Sequence, residues 1–301
     1  MTASTDADTT RRDIRRVLAL INPYSGRGRG RGIEEELRRL LADAGVEATT
    51  ALVSSPDEVE RAVADHAADV SAVVAMGGDG TVNMTVGALH RSGYDLPLGL
   101  IPLGFGNCLA RSFKLPLKLD QAVRVITGGK AKTLDLVWIE DQPAVYLVSA
   151  GFDADVVHRV ASARAYSVSM IEYLKAFGAS VLKYPWPRIY VEVDGRRLDG
   201  DFTQAILNRG RVYAKILKVY PGETYELYLF RRTLLQGLRY PLLIGPDLNV
   251  GRAADLILSV SRQVRFLPVS EPVPYQIDGD PAENLPVTCD LMPGALKLLV
   301  P

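Results

Sequence analysis

Asp278 and Asp280 stand two residues apart in VPYQIDGDPAENLP (273–286), a spacing that suits proton chemistry. One carboxylate can take a proton from an alcohol while the other orients it or holds a metal ion. A plain hairpin with Asp-Gly at its corner has the same sequence, and Asp194-Gly195 and Asp199-Gly200 read as such turns. A second chemistry lies in three glycine-rich turns, each following a short apolar run. In NPYSGRGRGRG (22–32), glycines let backbone N–H groups approach an anion that Arg27, Arg29 and Arg31 could neutralise. Its alternating glycines match neither the GxxxxGK[ST] loop nor the GxGxxG fingerprint. The second turn, Gly77-Gly78-Asp79-Gly80-Thr81, wraps three glycines round a carboxylate. Thr81 is expected to cap the next helix and turn its hydroxyl to a ligand. Asp79 would repel bare phosphate, so it either meets Mg²⁺ carried on phosphates or organises the loop through backbone N–H groups. The third turn, PLGFGNCLAR (102–111), opens at Gly104 and Gly106, and Asn107 can cap a helix or reach phosphate.

The elements that must position these turns alternate between strand and helix in the first half. VLALIN (17–22), VSAVVAM (70–76) and LPLGLIPL (96–103) read as buried strands, and VEATTALV (46–53) as a half-buried one. GIEEELRRLLADAG places Ile33, Leu37, Leu40, Leu41 and Ala44 on one helical face. Ser55-Pro56-Asp57-Glu58 combines a capping box with proline at the first helical position, with Val59, Ala62 and Val63 turned inward. That order implies a parallel sheet with helices on both faces, and ligands of such sheets sit at the carboxyl ends of the strands. Past about residue 134, strands joined by turns predominate, with helices expected near 153–164 and 168–183. The expected organisation is a tail at 1–12, an α/β domain at 13–134 and a β-rich domain at 135–291. The end, about 292–301, is expected to return to the first domain.

Composition removes several classes of function. Lysine plus arginine and aspartate plus glutamate both number 35 in the 301 residues, so no basic field invites nucleic acid. Cys108 and Cys289 are the two cysteines, in no CxxC arrangement, and His66, His90 and His158 lack metal-ligand spacing. A reducing cytoplasm is the expected compartment. The polar start, MTASTDADTTRR, reads as a tail rather than a secretory signal. SVSMIEYLKAFGASVLKYPWPR (167–188) and RRTLLQGLRYPLLIG (231–245) mix basic, aromatic and aliphatic residues as interfacial segments do, although core packing gives the same pattern.

Taken in order, NPYSG, GGDGTVN, LGFGN, SAGFDA and IDGD resemble the diacylglycerol kinase catalytic-domain superfamily. The likeness is to its soluble bacterial lipid-kinase branch, related to sphingosine and ceramide kinases, and runs from about residue 16 to Pro301. GGDGT alone is shared with NAD kinases and phosphofructokinases; Asn83, the NPxSG opening and the late acidic pair narrow it. The resemblance implies an N-terminal three-layer, doubly wound parallel sheet, NAD-kinase-like, and a C-terminal antiparallel β-sandwich, with ATP bound between the domains. It implies ATP- and Mg²⁺-dependent phosphorylation of a lipid alcohol: a diacylglycerol, a ceramide or a sphingoid base. Nucleotide would be met by Asn22, Pro23, Tyr24, Ser25 and Gly26, and by Gly77, Gly78, Asp79, Gly80, Thr81, Val82 and Asn83. Ser54, Gly104 and Asn107 complete that set, and Asp278 or Asp280 would deprotonate the acceptor. The chain departs from the family pattern in three places. Phe105 replaces the threonine of G-T-x-N, Asp280 replaces the glutamate of DGE, and ILKVYPGETYELYLF (216–230) lacks the DG of the family's structural magnesium site. A nucleotide- or lipid-binding homologue without catalysis, and a kinase of a soluble alcohol such as NAD, stay open beside the lipid kinase. Expected partners are the lipid substrate and the inner face of a membrane, touched peripherally; a homodimer is compatible.

Overall fold

The computed structural model describes residues 9–26, 32–104, 106–163, 170–209, 212–213, 217–218, 224–232 and 254–301. The chain divides into two compact units, Met1–Leu136 with Pro293–Pro301, and Val137–Met292.

The first unit starts with β1 (Thr9–Arg11) and β2 (Arg16–Ile21), followed by α1 (Glu34–Asp43), β3 (Glu47–Leu52), α2 (Pro56–His66), β4 (Ala72–Gly77) and α3 (Asp79–Ser92). Next come β5 (Leu98–Pro102), α4 (Cys108–Ser112), α5 (Leu119–Gly128) and the opening of β6 (Lys130–Ile139). β2 lies between β3 and β4, and β4 pairs on with β5, all parallel. The returning C-terminus adds a further parallel neighbour, Leu298 beside Leu98. β1 lies antiparallel to β6. Side chains of a strand alternate between faces, so β2 feeds two cores. Val17, Ala19 and Ile21 join Leu37, Leu41 and Ile126 on the α1 and α5 side. Leu18 and Leu20 join Val59, Val63 and Leu89 on the α2 and α3 side. This double burial explains why β2, β4 and β5 are apolar runs rather than alternating ones. Ser55 caps α2, its hydroxyl accepting the Glu58 N–H at 3.4 Å. α3 stops at Gly93, which takes the left-handed conformation at φ 72°.

The second unit contains β7 (Gln142–Ala144), β8 (Leu147–Gly151), α6 (Phe152–Ser162), α7 (Met170–Lys183), β9 (Ile189–Val193), β10 (Arg196–Arg197) and β11 (Phe202–Asn208). It continues through the two-residue strands β12 (Val212–Tyr213) and β13 (Leu217–Lys218) to β14 (Glu226–Arg231) and β15 (Leu256–Ser259). β16 (Gln263–Pro268), β17 (Pro274–Ile277), β18 (Asp280–Asn284) and the first part of β19 (Val287–Leu299) complete it. One antiparallel run is ordered β18-β17-β8-β11-β14-β15. A second is ordered β10-β9-β16-β19. They meet at the pair Phe202 and Ile189. Phe202, Tyr225 and Leu227 from the first run share one core with Val191, Phe266 and Cys289 from the second, as in a β-sandwich. α6 and α7 pack together through aromatic side chains, with Phe152 edge-on to Phe177 at 5.4 Å between centroids, and Phe152 also stacks on Trp186, just beyond α7, at 4.8 Å. The fold is thus α/β, parallel in its N-terminal sheet and antiparallel in its C-terminal strands. Among the described residues no helix is long and apolar enough to cross a membrane.

Candidate active site

Parallel strands β2, β4 and β5 are adjacent, so the turns at their carboxyl ends emerge side by side. Asn22 closes β2 and begins the first turn. Its Oδ1 accepts the Tyr24 N–H at 3.0 Å, an Asx turn, and its Nδ2 donates to Thr81 Oγ1 at 3.2 Å. The first turn is thereby tied to the second. This corrects the expectation that Thr81 caps a helix. α3 begins at Asp79 with Gly78 as its N-cap, and Thr81 lies inside the first turn, buried, its hydroxyl bonded to Asn22.

Asp79 ties the second turn to the third. Its Oδ1 accepts the backbone N–H of Cys108 at 2.8 Å. Of the two roles open to Asp79 in the sequence, the organising one is therefore present. An acidic residue in the first turn of α3 also suits the positive end of the helix dipole. Behind this bond the two turns touch backbone to backbone: a Cβ on Gly104 would stand 2.5 Å from the Cα of Gly78. The contact leaves no room for a side chain at Gly104 and crowds one at Gly78, whose Cβ would stand 3.2 Å from the Gly104 Cα. Asn107 adopts the left-handed region at φ 48°, which asparagine tolerates. Its Nδ2 donates to the Gly104 carbonyl at 2.9 Å, and its buried Oδ1 has no hydrogen-bond partner among the described residues. Gly77, Gly78, Asp79, Val82, Pro102 and Asn107 line a small recess where these turns meet.

In the second unit, Asp278 and Gly279 form the corner of the β17–β18 hairpin, at φ 53° and 96°. Positive φ at both positions is the type I′ geometry that Asp-Gly serves. The two aspartates differ in their surroundings. The Asp278 carboxylate accepts three backbone N–H groups, Val145 on Oδ2 and Tyr146 and Leu147 on Oδ1, each at 2.8 Å. It clasps the approach to β8 and so fixes the hairpin. Asp280 opens β18 opposite Ile277. Its side chain reaches solvent, yet the protein packed around it excludes enough water to raise its carboxyl above the usual range.

Residues 16–139 match the family model of the diacylglycerol kinase catalytic domain. Over those residues, less than half of the chain, the sequence is similar to that catalytic domain. A diacylglycerol kinase of Mycobacterium tuberculosis is 29% identical over 301 residues, covering 97% of both chains. A "Probable lipid kinase YegS-like" protein of Chromohalobacter salexigens is 28% identical over 252 residues, 78% of this chain and 77% of its own. The crystal structure of a diacylglycerol kinase from Bacillus anthracis matches with a TM-score of 0.75 at 16% identity, over 96% of this chain and 98% of that one. At that identity the likeness shows a shared fold.

Asn22, Gly77, Gly78, Asp79, Thr81, Gly104 and Asn107 are drawn together by the bonds and contacts above. Val82 lines the recess. Pro23 is buried, Tyr24 exposed, and the Ser25 N–H closes the first turn onto the Asn22 carbonyl at 3.2 Å. Gly26 takes φ 64°, Gly80 is exposed and Asn83 is half-buried in α3. Ser54 stands apart at the end of β3. Its N–H and Oγ both donate to Glu58 Oε2, at 2.6 and 2.9 Å, so its bonding serves the start of α2. Those bonds hold the Glu58 carboxyl below its usual range. Arg27, Arg29, Arg31 and Phe105 lie outside the described residues, as do parts of the segments 167–188, 216–230 and 231–245. The backbone N–H of Cys108 escaped the sequence reading, because its partner Asp79 is 29 positions away and no side-chain type announces it.

Proposed function

We propose that the protein is an ATP-dependent kinase that transfers the γ-phosphate to the hydroxyl of a lipid alcohol. The observation that carries this reading is the contrast within the acidic hairpin. Asp278 is clasped by three amides, while Asp280 keeps a carboxyl raised toward the range useful in proton transfer. Asp280 is then the base, and Asp278 holds the strand that presents it. The backbone N–H groups of the three turns and the start of α3 hold the nucleotide phosphates. As the acceptor oxygen attacks the γ-phosphorus and the bond to the β-phosphate oxygen breaks, the hydroxyl proton passes to Asp280.

Among the described residues no group of three His, Cys, Asp or Glu side chains could hold a metal ion. The donors at the turns fit an ion that arrives with the nucleotide and keeps its waters: the Asp79 carboxylate and the orphaned, buried Oδ1 of Asn107 are hard oxygen donors. Mg²⁺ held there would neutralise charge on the β- and γ-phosphates.

α7 supports peripheral contact with the inner face of a membrane. Ile171, Leu174 and Leu182 are 65%, 63% and 85% exposed, and helical spacing puts them on one stripe. Exposed Lys175 and Lys183 share that helix, as suits an anionic surface. The testing experiment offers γ-labelled ATP with Mg²⁺ and micelles of diacylglycerol, ceramide or sphingoid base, followed by organic extraction. Label in the organic phase is the expected result. Absence of label in every lipid refutes the reading; label on NAD would make it a soluble-alcohol kinase, and nucleotide-dependent thermal stabilisation without turnover a binding homologue.

A further inference from the structure

Beneath the acidic hairpin runs a buried polar chain that the reaction just described does not use. Gln276, Ser149 and Asp153 are 1%, 0% and 8% exposed. Gln276 on β17 lies directly opposite Ser149 on β8, and Asp153 follows four residues later in the first turn of α6. The direction of every bond follows from one atom. The Gly279 N–H can only donate, so the Gln276 atom facing it at 2.8 Å is the carbonyl Oε1. Gln276 Nε2 must then donate to Ser149 Oγ, at 2.8 Å. Ser149 has a single proton, which goes to Asp153 Oδ2 at 2.5 Å.

Buried polar side chains are costly unless bonded, and the bonds these three make to one another fix their mutual geometry. This one ends on the amide between Asp278 and Asp280. A backbone amide does not hand protons on, so the chain orients rather than relays. The Asp278 clasp holds one side of the corner, and the Gln276 bond holds the other.

We propose that Asp153, Ser149 and Gln276 are positioning residues that fix the Gly279 amide and thereby aim the Asp280 carboxylate at the acceptor hydroxyl. The inference rests on Asp280 being the base of the proposed kinase.

The test compares Ser149→Ala, which removes the bridging hydroxyl, with Ser149→Thr, which keeps it. Phosphate transfer, the KM for ATP, the pH–rate profile and hydrogen exchange at the Gly279 amide are measured on the full chain. Loss of a hydrogen bond of about 1 kcal/mol predicts a kcat lowered roughly 5–10-fold in Ser149→Ala. The KM for ATP should hold, the acid limb of the pH profile should move, and Ser149→Thr should restore most of the rate. A lowered melting temperature with kcat and pH profile unchanged would reduce the chain to core packing and overturn the proposal. If the wild type phosphorylates no lipid, the functional reading fails by itself. Exchange at Gly279 then still decides the structural part: faster in Ser149→Ala supports the chain, and unchanged contradicts it.

Discussion

Alanine at Gly104 puts a methyl group 2.5 Å from the Cα of Gly78 and 2.9 Å from Asn107 Oδ1. Carbon atoms in contact prefer about 3.5–4.0 Å, so the two turns would have to part by about 1 Å. Neither side yields easily. Gly78 is the N-cap of α3, and the Leu103 N–H beside the third turn is bonded to the Gly77 carbonyl at 2.8 Å. Overpacking of this kind costs about 1–3 kcal/mol. At about 2–4 °C per kcal/mol for a chain of comparable size, the melting temperature should fall by roughly 2–12 °C. The functional loss should be larger. Parting the turns pulls the Cys108 N–H from Asp79, and a 1 Å displacement of a positioning group costs on the order of 100-fold in rate. Gly78→Ala should be milder, because its methyl would stand 3.2 Å from the Gly104 Cα. Gly128→Ala meets nothing within 4 Å and serves as the control. Thermal melting and calorimetric titration with a non-hydrolysable ATP analogue give the order of damage, expected as Gly104, then Gly78, then Gly128. Gly104→Ala with wild-type melting and nucleotide affinity would refute the interlocked-turn account.

The two late aspartates should respond in opposite directions. Asp278→Asn keeps the shape but turns one acceptor into a donor facing backbone N–H groups; bonds to a charged group are worth about 1.5–3 kcal/mol each, so melting should fall by several degrees. Asp280→Asn should raise the melting temperature at pH 7, since burial raises the Asp280 carboxyl and its ionised form opposes folding. That gain should be complete above the raised value and vanish below the unfolded one of about 3.9, which melting curves across pH would show. The rate should fall on acidification with a midpoint above that same value, as Asp280 is protonated. Asp79→Asn keeps an acceptor for the Cys108 N–H and should hold melting while weakening the dependence of binding on Mg²⁺. Asp79→Ala strands that N–H and should cost about 1–3 kcal/mol in stability as well.

Local signals carried the parallel half of the fold. Apolar runs at 17–22 and 70–76 became β2 and β4, and Ser55 with Pro56 and Glu58 opened α2. The helices expected near 153–164 and 168–183 are α6 and α7. What the sequence could not display is pairing at a distance. Asp278 and the amides of Val145, Tyr146 and Leu147 are separated by 131 to 133 positions, so their clasp has no local signature. Thr81 misled for a related reason: glycine, not threonine, took the N-cap, because the turn tightens before Asp79 and Thr81 is drawn inward to Asn22. Ser149 and Gln276 sat in ordinary strand patterns, and only the register of β8 against β17 joins them.

The most direct test of the account is transfer of labelled γ-phosphate from ATP to lipid, run on the wild type and on Asp280→Asn together, with products split between organic and aqueous phases. The account predicts label in the organic phase for the wild type. It predicts a fall of about 10²–10⁴-fold for Asp280→Asn with ATP affinity retained, as expected when a general base is removed. Label confined to the aqueous phase, or equal transfer by the two proteins, would contradict it.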